Sequence, residues 1–144
     1  MPRIERSATV SWEGNVARGA GFLGGDTGSF TDVPFSLPSR LNAESGKTSP
    51  EELLAAAHSS CFCMALSLEL ADAGTPPERL EATATVEFVA GEGVTSSHID
   101  VKGRVPGIDA DAFAAAARNA GEGCPISGAL KGNVDITVDA TLET

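Results

Sequence analysis

A chain of 144 residues is long enough to bury a real core and fits a single domain, 1–144. Its formal net charge of −10 lacks the basic footprint that nucleic acids or anionic membrane surfaces require, so neither is expected as a partner. The opening Met-Pro-Arg-Ile-Glu-Arg leads into no apolar signal core, and three cysteines at uneven spacing do not form a secreted disulfide framework, so the expected setting is the reducing cytoplasm.

Taken in chain order, the alternation Ile4, Arg6, Ala8, Val10, Trp12 predicts an extended segment. Glu13-Gly14-Asn15 reads as a hairpin turn, and a second strand is expected over Val16 to Leu23. The cluster Gly24-Gly25-Asp26-Thr27-Gly28 turns again into a short third strand, Ser29 to Val33, which Pro34 ends or leaves at a sheet edge. Phe35 to Lys47, with Pro38, Ser39, Asn42, Ser45 and Gly46, reads as a loop that delivers Arg40 to the next element.

That element is the organising one, a long helix from Thr48-Ser49-Pro50 to Asp72. Ser49 can serve as N-cap, Pro50 suits the first helical position, and Glu51 and Glu52 complement the positive end of the helix dipole. No residue between Glu52 and Glu69 carries a full charge, and Leu53, Leu54, Phe62, Met64, Leu66, Leu68 and Leu70 do not fall on one narrow stripe. Such a helix is expected to be buried nearly all round. His58, Ser59, Ser60 and Ser67 interrupt the apolar run, which is short for a membrane span.

Gly74 and Pro76-Pro77 close the helix. Strands are expected over Leu80 to Ala90 and Val94 to Val105, joined through Gly91-Glu92-Gly93. Asp109 caps an alanine-rich helix, Ala110 to Ala120, which Gly121 and Gly123 should stop. Cys124 then stands at the edge of a short helix opened by Pro125, and the clean alternation Val134, Ile136, Val138, Ala140, Leu142 gives a last strand. The order is βββ, long α, ββ, α, short α, β, an α+β layout.

Cys61 and Cys124 are the candidate reactive pair, each placed where a helix can shape a thiol. Cys63 lies two residues from Cys61, about 200° around a helix of 3.6 residues per turn, so the two cannot share one pocket. The same geometry argues against a tetrahedral metal site built from Cys61, Cys63 and His58. His58 precedes Cys61 by three residues and could touch it as a base, although a core histidine with hydrogen-bonded nitrogens is the plainer reading. His98 is assigned no role.

Burial raises a thiol's pKa, so a reactive cysteine in an apolar setting calls for a cation. The apolar centre holds no Lys or Arg, which leaves Arg40 on the incoming loop and Arg18 as second choice, with Glu51 or Glu52 to orient the guanidinium. Glu51 stands ten residues before Cys61, about 15 Å along one helix, so an Arg40–Glu51 pair must bridge that gap or come from a second chain. The apolar faces of the helix also point to a two-fold partner.

These residues fall in stretches similar to one known family. Trp12-Glu13-Gly14, Arg18-Gly19, Ser39-Arg40, the run from Thr48 to Ser67 that holds Glu51, Cys61 and Cys63, Val105-Pro-Gly-Ile-Asp109 and Gly123-Cys-Pro-Ile-Ser127 run in order through the chain. With them the chain resembles the osmotically inducible protein C and organic hydroperoxide resistance (OsmC/Ohr) family, most of all its osmotically inducible branch. The resemblance implies an OsmC-like α+β fold in an intertwined homodimer, with strands wrapped around two long central helices. It implies Cys61 as the peroxidatic cysteine, Cys124 as the resolving one, Arg40 as the arginine stabilising the thiolate and Glu51 as the carboxylate orienting it. The implied activity is thiol-dependent reduction of organic hydroperoxides to alcohols, reset by an external dithiol such as a dihydrolipoyl protein, with no cofactor. Cys63 departs from the family pattern, which often has serine there. A non-catalytic dimer of the same fold, sensing redox state or holding an apolar ligand, is the alternative.

Overall fold

The computed structural model describes residues 2–143. The elements are β1 (Ala8–Glu13), β2 (Ala20–Gly25), β3 (Val33–Phe35), α1 (Leu37–Leu41), α2 (Pro50–Asp72), β4 (Arg79–Val89), β5 (Gly93–Arg104), α3 (Ala110–Gly123), α4 (Pro125–Leu130) and β6 (Asp135–Leu142). They form an α+β fold in two compact units that divide after Pro50.

The N-terminal unit is an antiparallel meander in the order β1-β2-β3. β1 starts at Ala8 instead of Ile4, and β2 starts at Ala20 instead of Val16 because the connection between them is a wide turn over residues 14–19 and not a tight hairpin. Asn15 builds it. Its side-chain oxygen accepts from the Arg18 N–H at 2.8 Å and its carbonyl from the Gly19 N–H at 2.7 Å. The third strand is also displaced, starting at Val33 instead of Ser29. Phe30 is held back in the turn, its carbonyl accepting from the Gly25 N–H at 3.0 Å, and Asp32 takes a left-handed backbone with φ of 52° that interrupts extended structure. Pro34 lies inside β3, where an edge position tolerates its missing N–H.

Phe35 packs over the meander. Its ring stands 5.5 Å from that of Trp12, and a Cβ added at Gly21 would meet it at 2.6 Å, so only glycine lets the ring lie this close to β2. The segment expected to be a loop contains α1, a single helical turn. Ser36 is its N-cap: its hydroxyl accepts from the Ser39 N–H at 3.2 Å, while the Ser36 N–H donates to Ser39 Oγ at 2.9 Å. This reciprocal pair of bonds uses serine where glutamate or glutamine is usual. Ser39 also donates to the Thr48 carbonyl at 3.0 Å, tying α1 to the last residues of the N-terminal unit.

The helix α2, all of it but Pro50 in the second unit, runs from Pro50 to Asp72 as expected. Gly74, with φ of 86°, closes it: the Thr75 N–H reaches the Leu70 carbonyl at 2.9 Å and the Gly74 N–H the Ala71 carbonyl at 3.0 Å. The expectation of burial nearly all round is corrected within the chain. His58, Phe62, Leu66 and Leu70 form one fully buried stripe at four-residue spacing, whereas Met64 and Leu68 on the far side are 74% and 63% exposed. By length and composition α2 is the one helix among the described residues that could cross a bilayer, yet its buried stripe is closed by protein side chains.

Those side chains come from a sheet in the order β4-β5-β6 and from α3. β4 and β5 form an antiparallel hairpin, and β6 returns parallel to β5 after α3 and α4. On β5 the residues Ser97, Ile99, Val101 and Gly103 face the core, and Phe113, Ala117 and Ala120 of α3 fill it against Phe62, Leu66 and Leu70. Each large apolar side chain here is worth about 1.5–3 kcal/mol by burial alone.

The expectation that Gly121 and Gly123 stop the third helix holds only for Gly123, its last residue, since α3 runs through Gly121. Gly121 is there for contact: a Cβ at this position would stand 2.9 Å from a Val138 methyl of β6. The absent side chain lets the end of α3, and hence Cys124, approach the sheet.

Candidate active site

The two candidate cysteines meet. Cys61 lies on α2, three residues after the buried His58, and Cys124 occupies the junction that ends α3 and starts α4. Both are free thiols, Cys61 partly accessible and Cys124 only 1% exposed, and their side chains share a hydrogen bond. The junction follows from local sequence. The Cys124 N–H closes α3 on the Ala120 carbonyl at 3.0 Å, and Pro125 opens α4 at a position that needs no N–H donor.

The start of α4 then faces both sulfurs. The Ile126 N–H interacts with Cys61 and Cys124 alike, and the Ser127 N–H and hydroxyl interact with Cys124, although none has the alignment of a regular cap bond. Burial pushes the Cys61 thiol up, the hydrogen bond with Cys124 pushes it further, and the Ile126 N–H only partly offsets them. Burial also acts to raise Cys124, but the hydrogen bond from Cys61 and those from Ser127 and Ile126 outweigh it, so this thiol is held below its ordinary value. The two sulfurs therefore titrate as a pair, and the donors at the start of α4 favour charge on Cys124 over Cys61.

His58 is fully buried, and both ring nitrogens are occupied: Nδ1 is 2.7 Å from Ser97 Oγ on β5 and Nε2 is 2.8 Å from Ser127 Oγ on α4. Burial favours its neutral form. The reading of His58 as a base for Cys61 is corrected by these bonds, and the core-histidine reading stands, with side-chain hydroxyls as its partners. Sequence reasoning gave Ser97 and Ser127 no role. Ser127 carried a usable signal, because the side chain of the third residue after a helix N-cap turns back toward the cap residue.

Cys63 points away from the pair, as its spacing requires. It is half-buried against β4, where burial raises its thiol pKa and the Ala82 backbone partly counters that. Glu51 sits in the first turn of α2, ten residues before Cys61. Arg40 belongs to the N-terminal unit, on α1, where it lines an apolar pocket of about 230 Å³ with Trp12, Val16, Phe35, Leu37 and Pro50. Arg18 lies in the exposed turn before β2. His98 stands on the outer face of the second sheet, its Nδ1 bonded to Thr137 and its Nε2 3.4 Å from Asp100 and 3.2 Å from Asp139.

An α+β fold in which a long helix and a helix junction bring two reduced cysteines together defines a dithiol protein. Residues 43–139 match the family model described as OsmC-like protein. The chain is 38% identical to "Peroxiredoxin OsmC" of Escherichia coli K12 over 144 residues, covering 98% of this chain and 99% of that one. It is 30% identical to "Organic hydroperoxide resistance protein-like 2" of Staphylococcus epidermidis over 75% of this chain and 78% of that one. In fold it is similar to an organic hydroperoxide resistance protein from Elizabethkingia anophelis, with a TM-score of 0.73, 23% identity, and coverage of 99% and 100% of the two chains. The chain belongs to the OsmC-like protein family.

Proposed function

We propose that this protein is a cysteine-based peroxidase that reduces organic hydroperoxides to alcohols. The observation that carries the reading is the hydrogen-bonded pair of free thiols, one accessible and one buried. Cys61 is the attacking sulfur because a peroxide can reach it. Its thiolate attacks the terminal peroxide oxygen, the O–O bond breaks, and the alkoxide takes a proton to leave as alcohol, so Cys61 becomes a sulfenic acid. The Cys124 thiolate then attacks that sulfur, and hydroxide leaves and is protonated to water as the disulfide forms. An external dithiol reduces the disulfide by exchange and is itself oxidised. A dihydrolipoyl protein is the reductant that the family resemblance suggests, and a reducing cytoplasm suits resting thiols.

Cys61 needs a positive charge to ionise, since its neighbours within the second unit hold its proton on. We assign that charge to Arg40, oriented by Glu51 of the same or a second chain, as the family resemblance suggests. Arg40 beside an apolar pocket offers a guanidinium for the peroxide group and aromatic and aliphatic walls for its organic substituent, which supports organic hydroperoxides over hydrogen peroxide. Peroxide consumption with dihydrolipoamide as reductant should be catalytic and faster for cumene hydroperoxide than for hydrogen peroxide. A single stoichiometric reaction with no turnover by any dithiol would favour the sensing or ligand-holding dimer instead.

The homodimer rests on the bare stripe of α2. Met64 and Leu68 expose apolar surface that a second copy would cover. Light scattering should give twice the chain mass for the native protein and a lower mass for Met64→Glu combined with Leu68→Glu. A native monomer would contradict the assignment.

A further inference from the structure

The thiol chemistry proposed above leaves unused a buried histidine with a serine on each ring nitrogen, and the directions of its bonds can be worked out. When Cys124 is a thiolate it can only accept, so the Ser127 hydroxyl donates to it. The Ser127 oxygen must then accept from His58, which fixes the proton on Nε2, the nitrogen 2.8 Å away. Neutral His58 has only that one proton, so its Nδ1 accepts from the Ser97 hydroxyl at 2.7 Å. All four groups are buried, Ser97 and His58 completely, so no water competes for these bonds.

We propose that the buried chain Ser97–His58–Ser127 holds Cys124 as a hydrogen-bonded thiolate and thereby makes it the leaving sulfur when an external thiol reduces the Cys61–Cys124 disulfide. Ser127 touches the reacting sulfur and is catalytic; His58 and Ser97 act through it and are positioning residues. The reductant thiolate attacks the Cys61 sulfur, a new S–S bond forms there, and the Cys61–Cys124 bond breaks with its electron pair on Cys124. The second thiol of the reductant attacks the mixed disulfide and frees Cys61. Attack on Cys61 fits exposure, since Cys124 is buried, and departure of Cys124 fits the donors aimed at it. Among the described residues, Cys61 of α2 is the titratable group that interacts with Cys124 directly and His58 stands behind Ser127; β5 presents the Ser97 hydroxyl, while Arg118 and Glu122 of α3 and Lys131 after α4 line a pocket together with Ser127.

The regiochemistry rests on the peroxidase reading; the acidity of Cys124 does not, and two measurements separate them. The first is the thiolate absorbance near 240 nm against pH in a Cys61→Ser, Cys63→Ser background, which reports Cys124 alone. Ser127→Ala should raise its midpoint by about one pH unit, tenfold in acidity. Ser127→Thr should restore it, and His58→Phe should raise it by a smaller amount, with His58→Leu as the variant to use if phenylalanine prevents folding; His58→Gln, which can still donate to Ser127, should keep the midpoint of its parent. An unchanged midpoint in Ser127→Ala, or a His58→Phe protein equal to its parent, would overturn the proposal. The second treats the preformed disulfide with 2-mercaptoethanol and locates the mixed disulfide by mass spectrometry. It should lie on Cys61 in the native sequence, and a mixed disulfide on Cys124 would overturn the assignment of leaving sulfur. Failure of peroxide to form any disulfide would contradict the peroxidase reading while leaving the titration result intact.

Discussion

Cys61→Ser should abolish dithiol-dependent consumption of organic hydroperoxide, a loss on the order of 10³-fold or more in kcat/KM, because a hydroxyl cannot replace a thiolate as nucleophile. Cys124→Ser should behave differently. Its Cys61 remains able to attack, so one equivalent of alcohol per chain should appear in a fast first turnover, after which a sulfenic acid accumulates and over-oxidises. The contrast follows from exposure, since only Cys61 is accessible to a substrate while Cys124 is sealed at the junction of α3 and α4. Rapid-quench measurement of alcohol per chain distinguishes the two variants. Equal loss of the first turnover in both would show that the pair acts as one unit in the attack itself.

Phe113→Ala should cost about 3–5 kcal/mol, a large share of the roughly 5–15 kcal/mol that stabilises a typical domain. The ring is fully buried and is the largest apolar anchor of α3. It lies so close over β5 that a Cβ at Gly103 would meet it at 2.4 Å. Removing it leaves a cavity between α3 and the sheet that the alanine-rich helix cannot refill, because its other core residues, Ala117 and Ala120, are small. Urea unfolding with an unchanged slope would report the loss directly; a cost below about 1 kcal/mol would contradict the packing described.

The element order and the central helix were legible because their signals are local and strong. Pro50, Glu51 and Glu52 start α2, Gly74 ends it, and strict alternation marks β6. The errors have physical causes. Hydrophobicity does not separate the two faces of α2, since Met64 and Leu68 are as apolar as Leu66 and Leu70, so the exposed stripe could not be read from composition. Gly121 looked like a helix stop, yet its role is close approach to Val138, a long-range contact with no local trace. The turn α1 was hidden among breakers because its reciprocal capping bonds use Ser39 in place of an acidic or amide side chain.

The site was legible in its thiols and less so in what surrounds them. Helical geometry separated Cys61 from Cys63, and the structure keeps them apart. Residue types could not show that the surroundings favour charge on Cys124 over Cys61, because that depends on Ile126 and Ser127 at the start of α4 facing the sulfurs. Nor could they show that His58, sixty-nine positions before Ser127, bonds to it across the core. That contact exists only once β5, α3 and α4 have folded against α2.

The most direct test of the central claim is to treat the fully reduced protein with one equivalent of cumene hydroperoxide, block free thiols and map the tryptic peptides. Cys61 and Cys63 share the peptide 48–79 and Cys124 lies in 119–131, so the linkage is unambiguous after fragmentation. Cross-linked peptides joined through Cys61 and Cys124, with Cys63 alkylated, are the predicted result. A Cys61–Cys63 bond, or a sulfenic acid trapped on Cys124 in place of a disulfide, would contradict the account.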